Sequence, residues 1–188
     1  MGDELGLEKS EVRLRSHNPA WITLGHSECD LIRELLGDLA VDVVHVGSTS
    51  VPGLDAKPIL DIAATVPDAS AIDEIIERLA GSGVYAYDGN RHDDGGLLFV
   101  RGSGDIRTVH VHIVGASSAA WQLYLRFHQI LLADADARER YASAKRELAS
   151  KFPGDRVSYT NAKGAVIAEL LGGHHQARPH TEDAAPLS

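Results

Sequence analysis

The chain has 188 residues, of which 44% are hydrophobic and 24% charged, and this is the composition of an ordinary globular domain. Its formal net charge of −9 argues against general affinity for nucleic acid, although one local cationic pocket would be enough to bind a nucleotide. There is no apolar run of roughly 18 residues, no basic and apolar signal segment at the acidic start, and no cysteine besides Cys29, so we expect a cytoplasmic protein without a membrane span or an internal disulfide.

The first third of the chain predicts one helix followed by two strands. Residues 1–16 have the composition of a polar lead-in, with a short strand expected at Glu11 to Leu14. Ser27-Glu-Cys-Asp30 has the pattern of a capping box, which predicts a helix that begins there and ends near Leu39. The β-branched run Val41 to Val46 and the segment from about Ile59 to Val66 predict strands.

The middle and the end of the chain predict a β-rich part and then a helical part. A helix over Ala71 to Ala80, capped by Asp68 or Ser70, precedes a short strand at Val84 to Tyr87 and a loop over 88–96. Further predicted elements are strands at Leu97 to Arg101 and Ile106 to Val114, and helices at about Ser118 to Leu132, Asp136 to Lys151 and Val157 to Leu171.

This order of elements predicts an α+β fold, with a mixed sheet backed by helices and a helical C-terminal segment. We expect residues 17–171 to form a single domain. Residues 172–188 are rich in Gly, Pro and His, which is typical of a disordered tail.

The segment HVGSTSVPGLDAKPILDI, from His45 to Ile62, is suited to bind phosphate. Gly47 lets the backbone approach an anion closely, and the hydroxyl groups of Ser48, Thr49 and Ser50 add hydrogen-bond donors. Lys57 contributes a compact positive charge, and Asp61 is an oxygen ligand of the kind that Mg²⁺ prefers. Together they describe a site for phosphoryl or nucleotidyl transfer, whereas a tight turn with an acid at the strand end is the alternative.

The same segment resembles the signature of the GrpB-like family, also called UPF0157. Other matching elements are Asn18-Pro-Ala-Trp21, His110-Val-His112, Tyr141 with Lys145 and Leu148, and Tyr159 with Lys163. The family is similar to the nucleotidyltransferase superfamily, so the resemblance implies a nucleotidyltransferase-like fold. The superfamily motif places a second acid two residues after the first, where this chain has Ala63. Because two-metal mechanisms use paired carboxylates, any metal site here must be single, completed by other ligands, or absent.

His110 and His112 alternate with apolar residues in a predicted strand, so both side chains project from one face. The resemblance places this strand beside Asp61, and Asp61, His110 and His112 would then form a site for a divalent metal. One carboxylate with two imidazoles suits Mn²⁺, Fe²⁺ or Zn²⁺ better than Mg²⁺. The alternative is that the two histidines lie on the polar face of a half-exposed strand.

Two helical features bear on nucleotide binding. Tyr159 and Lys163 are one helical turn apart and share a face, from which they could reach a nucleotide; an exposed helix face is the alternative. Relatives often carry Phe-Arg-Asp in an earlier helix, whereas this chain has Phe127-His128-Gln129, so the arginine and the acid are both replaced here.

The resulting hypothesis is metal-assisted transfer of a nucleotidyl group from a nucleoside triphosphate to a small-molecule acceptor. Ser48, Thr49 and Lys57 would hold the triphosphate, Asp61 would bind the metal, and His110 or His112 would complete the metal shell or deprotonate the acceptor. One rival is a non-catalytic nucleotide-binding or regulatory domain of the same fold. A second rival is a metal-dependent phosphoester hydrolase, and neither rival involves nucleic acid or a membrane.

Overall fold

A mixed sheet organises the computed structural model, which describes residues 5–67, 71–90 and 96–173. Within these residues the strand order is β2-β3-β6-β5-β4, and β1 pairs with the start of β6. The pairing of β3 with β6 is parallel, and the other pairings are antiparallel. The strands are β1 Leu7–Glu8, β2 Asp42–Val46, β3 Leu60–Val66, β4 Ala86–Asn90, β5 Leu97–Ser103 and β6 Ile106–Gly115.

Helices cover both faces of the sheet. Helices α1 and α2 pack on one face through a core that includes Ile32 and Leu79, and α3 packs on the other face through Trp121. The C-terminal helices form a further core around Leu131 and Tyr141. The helices are α1 Ala20–Leu36, α2 Ile72–Gly81, α3 Ala119–Ala133, α4 Ala135–Lys151 and α5 Arg156–Gly173, with short 3-10 segments at Gly37–Leu39 and Ser48–Ser50.

The alternation of side chains along β6 shows how the two faces differ. Val109, Val111 and Ile113 belong to the core beneath α1 and α2. His110 and His112 alternate with them and therefore project from the opposite face, towards α3. The face beneath α1 and α2 is largely apolar, although it also carries His45 and Arg101, whereas the opposite, titratable face carries Asp61, His110 and His112. This arrangement confirms the predicted α+β fold.

The first helix begins earlier than the capping-box pattern predicted, and that prediction was wrong. The helix starts at Ala20, where the side chain of Asn18 accepts a hydrogen bond from the backbone N–H of Ala20 (2.9 Å). Ser27 lies exposed in the helix interior, and Glu28 is buried in contacts with other elements. The Asn-Pro pair outweighs the later pattern because a side-chain cap followed by a proline suits the first turn of a helix.

Two predicted strands also differ from the observed ones. The strand near the N-terminus is Leu7–Glu8 rather than Glu11 to Leu14, because the partner edge is the start of β6. Strand β4 runs through residues 86–90, beyond the predicted end at Tyr87, because its pairing with β5 continues past an irregularity at Gly89.

The remaining strand and helix predictions are confirmed within one or two residues at each end. Three predictions fall outside the described residues. They are the caps Asp68 and Ser70, residues 91–95 of the loop predicted over 88–96, and the tail from residue 174 onwards. Residues 172 and 173 belong to α5 rather than to a tail. In the part of the chain that is described, none of the helices combines the length and apolarity needed to cross a bilayer.

A buried polar cluster ties α1 to the apolar side of the sheet. Glu28 is only 7% exposed, and its carboxylate accepts hydrogen bonds from the Tyr85 hydroxyl (2.6 Å) and from Arg101 (2.9 Å). Burial and the hydrogen bond to Glu28 raise the pKa of Tyr85 far above the range in which it would ionise, so Tyr85 acts as a donor. A buried carboxylate is stable only when such donors satisfy it.

We expect Glu28→Ala to lower the free energy of unfolding by about 2 kcal/mol, because it leaves the buried Tyr85 hydroxyl without its acceptor. Glu34→Ala is the matched control: it makes the same substitution in the same helix at an exposed position, and should cost less than about 0.5 kcal/mol. Urea unfolding of both variants measures the difference. Equal losses would show that the cluster contributes nothing specific.

Candidate functional site

A cavity of about 480 Å³ lies between the titratable face of the sheet and helices α3, α4 and α5. It is lined by Asp61 of β3, His110 and His112 of β6, and the loop that follows β2. Its far wall comes from the helices and includes Tyr124, Tyr141 and Tyr159. The cavity therefore combines a polar floor with aromatic walls, which is typical of a small-molecule site.

Strand register brings the three titratable residues of the floor together. In the parallel pairing of β3 with β6, Asp61 lies opposite His110, and Ala63 lies opposite His112. Asp61 Oδ1 is 3.2 Å from His110 Nδ1 and 3.6 Å from His112 Nε2. The structure therefore brings together Asp61, His110 and His112, which the sequence analysis predicts to form one site.

The contacts of His110 define its protonation state. Its Nε2 lies 3.2 Å from Nη2 of Arg156, and because an arginine can only donate, that Nε2 must accept. The proton of the neutral ring is therefore on Nδ1, which donates to Asp61. Burial lowers the pKa of His110, although Asp61 opposes the shift, and this agrees with a neutral ring. Arg156, His110 and Asp61 thus form a chain of hydrogen bonds.

Asp61 is ionised in this arrangement. Burial alone would raise its pKa, but the neighbouring imidazoles of His110 and His112 outweigh burial and hold the pKa well below its usual range. The side chain is still 35% exposed towards the cavity. A carboxylate that is charged, oriented by a neighbour and open to a pocket is able to bind a cation or a donor from a ligand.

His112 has one nitrogen without a partner. Its Nδ1 is buried and has no hydrogen-bond partner among the described residues, while its ring packs against that of Tyr124 with 5.3 Å between centroids. Its Nε2 faces Asp61 at a distance longer than a hydrogen bond. His112 therefore differs from His110, whose two nitrogens are both engaged.

Gly47 makes the close approach of the loop to Asp61 possible. Its φ of +75° with ψ of −169° is a conformation that essentially only glycine adopts. A Cβ atom at this position would lie 2.9 Å from Asp61 Oδ2 and 3.1 Å from Asp61 Cβ. The absence of a side chain at Gly47 therefore leaves space for the carboxylate.

The three hydroxyl residues after Gly47 are placed differently from one another. Ser48 lines the cavity, and its Oγ accepts a hydrogen bond from Nζ of Lys145 (2.9 Å). Thr49 also lines the cavity, but it is 1% exposed and its hydroxyl is committed to the carbonyl of Ile59 (3.4 Å) and to His45 (3.0 Å).

Among the loop residues that the sequence predicts to bind phosphate, Ser50 is the one that does not line this cavity. Its hydroxyl donates to the carbonyl of Gly47 (2.7 Å) and lies 3.0 Å from Nδ1 of His128 on α3. The reason is the 3-10 turn over Ser48–Ser50, which rotates successive side chains to different sides. Ser50 therefore stabilises the loop from behind.

Basic side chains line the helical side of the cavity. Lys57 follows the loop, Lys145 comes from α4, and Arg156 and Lys163 come from α5. Nζ of Lys57 lies over the ring of Tyr159 (5.2 Å), and Nζ of Lys145 lies over the ring of Tyr141 (4.7 Å). The cavity is thus cationic although the chain as a whole is acidic.

Burial makes two of these lysines unusual. Burial, and then the charges of Lys163 and Arg156, lower the pKa of Lys57 to about 7. Burial and the charge of Lys163 lower the pKa of Lys145 to about 7 as well. Lys145 is 2% exposed and also donates to the carbonyl of Asp55. Among the described residues neither lysine forms a salt bridge, and the charges of Asp61 on Lys57 and of Asp55 on Lys145 do not outweigh burial, so an anion in the cavity would be favoured.

Sequence reasoning selected Lys57, Tyr159 and Lys163 for this site, and the structure places all three at the cavity. It missed Lys145 and Arg156 as site residues. A signal for Lys145 was available, because it follows Tyr141 by one helical turn on the buried face of α4, where an apolar residue is expected. No local pattern marks Arg156.

The donor set on the cavity floor is partly suited to a divalent metal. Donor atoms of Asp61, His110 and His112 all lie within 4.8 Å of one another. However, Nδ1 of His110 could bind a metal only if the ring proton moved to Nε2, which would break the hydrogen bond from Arg156. Asp61 and Nε2 of His112 are therefore the better candidate ligands.

Comparison with known proteins identifies relatives along most of the chain. The family model described as GrpB protein matches residues 11–172. A UPF0157 protein of Pseudomonas aeruginosa is 36% identical over 176 residues, which cover 92% of this chain and 72% of that protein. The glutamate-rich protein GrpB of Alkalihalophilus pseudofirmus is 32% identical, with 89% of this chain and 98% of that protein covered. The resemblance noted in the sequence is confirmed.

Solved structures show the same fold. The GrpB protein of Enterococcus faecalis superposes with a TM-score of 0.75 at 26% identity and covers 87% of this chain and 100% of its own. A chain of the GLD-2/RNP-8 complex superposes with a TM-score of 0.55 at 12% identity, and the match covers 89% of this chain and 70% of that one. The Cid1 poly(U) polymerase with Mg and 3′-dATP bound superposes with a TM-score of 0.52 at 14% identity, and the match covers 78% of this chain and 49% of that one. The fold is therefore nucleotidyltransferase-like.

We expect Gly47→Ala to be more destabilising than Gly53→Ala. Both glycines have positive φ, at +75° and +78°, but an added Cβ meets Asp61 only at position 47. Backbone strain should cost each variant about 1–3 kcal/mol, and the contact with Asp61 should add to the loss in Gly47→Ala. Chemical denaturation measures both. An equal loss in the two variants would contradict the close packing of Gly47 on Asp61.

We expect the ligand-free protein to become more stable as pH rises from 7 to 8.5. Lys57 and Lys145 have folded-state pKa values of about 7, far below the ordinary lysine value, so the unfolded chain binds more protons in this range. Stability then rises with pH, because deprotonation relieves the buried charges. Lys57→Met should reduce the slope of unfolding free energy against pH, whereas Lys151→Met, at an exposed position, should not. A flat wild-type profile would contradict the buried lysines.

Proposed function

This chain belongs to the GrpB protein family, and we propose that it binds a nucleoside triphosphate in the cavity and transfers its nucleotidyl group to a small-molecule acceptor. The observation that carries the proposal is the charge of the cavity. Four basic side chains and one carboxylate line it, on a fold of the nucleotidyltransferase type. A triphosphate carries several negative charges close together, and these would favour the protonated form of all four basic side chains.

The loop after β2 supplies the contacts for the phosphates. The positive φ of Gly47 brings the backbone close to the floor, and Ser48 presents a hydroxyl beside the ammonium of Lys145. Lys57 also lines the cavity. Backbone N–H groups, a hydroxyl and ammonium groups are the donors that bind phosphate oxygens in loops of this kind.

Asp61 and His112 would hold a divalent ion on the cavity floor. Such an ion would neutralise negative charge on the oxygens around the phosphorus under attack. His110 keeps Asp61 ionised and oriented by donating its Nδ1 proton, and Arg156 keeps that proton in place by donating to Nε2. Without this chain of hydrogen bonds, the carboxylate could rotate away from the ligand.

The aromatic wall is suited to the nucleoside part of the ligand. Tyr124, Phe127 and Tyr159 line the cavity together with the aliphatic residues Leu123 and Ile167. A planar base gains area burial and favourable ring contacts in such surroundings. The Cid1 polymerase structure, which is similar in fold, was solved with Mg and 3′-dATP bound, and this supports a nucleotide as the ligand class.

A non-catalytic nucleotide-binding domain is the second candidate. It is favoured by Ala63, which occupies the position of the second carboxylate and is completely buried. The fold alone does not imply catalysis. The two candidates agree on the ligand and differ in whether pyrophosphate is released.

With each nucleoside triphosphate, Mg²⁺ or Mn²⁺ and a mixture of small-molecule acceptors, we expect pyrophosphate release by the wild-type protein. Asp61→Asn should reduce the rate about 100-fold or more, because it removes the charge that holds the ion beside the reacting phosphorus. Asp73→Asn removes an equal charge at an exposed position of α2 and should leave the rate unchanged. Nucleotide binding without pyrophosphate release would favour the non-catalytic candidate, and absence of binding would contradict both.

A further inference from the structure

We infer that side-chain cations of this protein take the place of a second metal ion, so that the cavity binds the triphosphate of its ligand even when no divalent metal is present. Lys145 and Arg156 are the residues that we assign to this role. The inference rests on the proposed function for the identity of the ligand. It goes further because it predicts that the protein binds the triphosphate without a metal, even where the subsequent chemistry requires one.

The balance of charges at the cavity is the first observation. Among the residues that the structure describes there, Asp61 is the acid, while Lys57, Lys145, Arg156 and Lys163 are bases. A site that depends on two metal ions needs an excess of carboxylates to attract them. This cavity instead has an excess of bases, which favours an anion, and close charges in a partly dry cavity act strongly.

The surroundings of Ala63 are the second observation. Ala63 has no solvent-exposed surface and packs in a cluster with Val46, Val114 and Trp121. An ion needs oxygen or nitrogen ligands and room for water, and this apolar cluster offers neither. The side of Asp61 towards Ala63 is therefore closed to a second ion.

Lys145 is placed where it can contact phosphate. It reaches from α4 to the phosphate loop, donates to Oγ of Ser48 (2.9 Å) and to the carbonyl of Asp55, and is 2% exposed. Two neutral oxygens hold this buried lysine against the loop, and its desolvated charge is costly unless a negative charge lies beside it. A phosphate at Ser48 would supply the missing negative charge.

Arg156 and Lys163 extend the cationic surface along α5. They are seven residues apart, which is close to two helical turns, so both face the cavity with Tyr159 between them. Arg156 reaches His110 at the floor, at 3.2 Å. From this position its guanidinium, which has five donors, can also bind phosphate oxygens next to Asp61.

Asp61 changes the affinity for the triphosphate in opposite directions without and with a divalent metal. Without metal, its negative charge lies close to the phosphates and opposes binding. With metal, it attracts the ion that the triphosphate also binds, and so favours binding. The sign of the effect of Asp61→Asn on affinity should therefore depend on the presence of metal, and a variant that merely disturbs the fold would not show this reversal.

Calorimetric or fluorescence titration of the full chain with ATP, GTP, CTP, UTP and inorganic tripolyphosphate, in chelator and in Mg²⁺, tests the inference. We expect one or more of these to bind in chelator. In chelator, Asp61→Asn should bind a few-fold more tightly than the wild type, and Arg156→Gln and Lys145→Met should each bind at least tenfold more weakly. In Mg²⁺, Asp61→Asn should bind more weakly than the wild type.

Two variants control for loss of positive charge. Arg140→Gln and Lys151→Met make the same substitutions at exposed positions of α4 and should change affinity less than twofold. If the buried Lys145→Met fails to fold, as judged by thermal unfolding, Arg156→Gln and Lys163→Met still test the inference because both residues are partly exposed. Binding that requires Mg²⁺, or cation variants that bind like the controls, would overturn it.

Failure of this inference and failure of the proposed function give different results. If binding occurs only with Mg²⁺ and pyrophosphate is released, the function stands and the inference is wrong. If binding occurs in chelator and no pyrophosphate is released under any condition, the inference stands and nucleotidyl transfer is wrong. If none of the probes binds in either condition, both are wrong.

Discussion

The parallel pairing of β3 with β6 is the constraint on which the site depends. It places Asp61 opposite His110 and Ala63 opposite His112, and the same alternation sends Val109, Val111 and Ile113 into the core beneath α1 and α2. A shift of one residue would bury the histidines in that core and expose the valines. Core packing on the apolar face therefore determines the geometry of the polar face.

Charge then determines what the polar face can bind. The chain carries a net charge of −9, yet the cavity between the titratable face of the sheet and the C-terminal helices is lined by lysine and arginine side chains. The acidic exterior disfavours large polyanions such as nucleic acid, while the cavity admits a small one. Because buried ammonium groups are costly without counter-charges, the cavity is poised to bind an anion. Its aromatic wall suits a ligand that also has a planar, apolar part.

Much of the fold could be predicted from the sequence, but only part of the site. Period-two alternation marks His110 and His112 as neighbours on one face, and the Gly47-Ser48 turn marks the phosphate loop, because both signals are local. Lys145 and Arg156 were missed because only the packing of α4 and α5 against that loop brings them to the cavity. The predicted start of α1 was wrong because the chain carries two capping signals, and the helix begins at the earlier one, Asn18.

A crystal structure with Mn²⁺ and a non-hydrolysable nucleoside triphosphate analogue would test the central claim most directly. We expect anomalous density for a single Mn²⁺ at the carboxylate of Asp61. We also expect phosphate oxygens within hydrogen-bonding distance of Ser48 Oγ, Lys145 Nζ and the Arg156 guanidinium. Two Mn²⁺ ions at the floor, or an analogue bound outside this cavity, would contradict it.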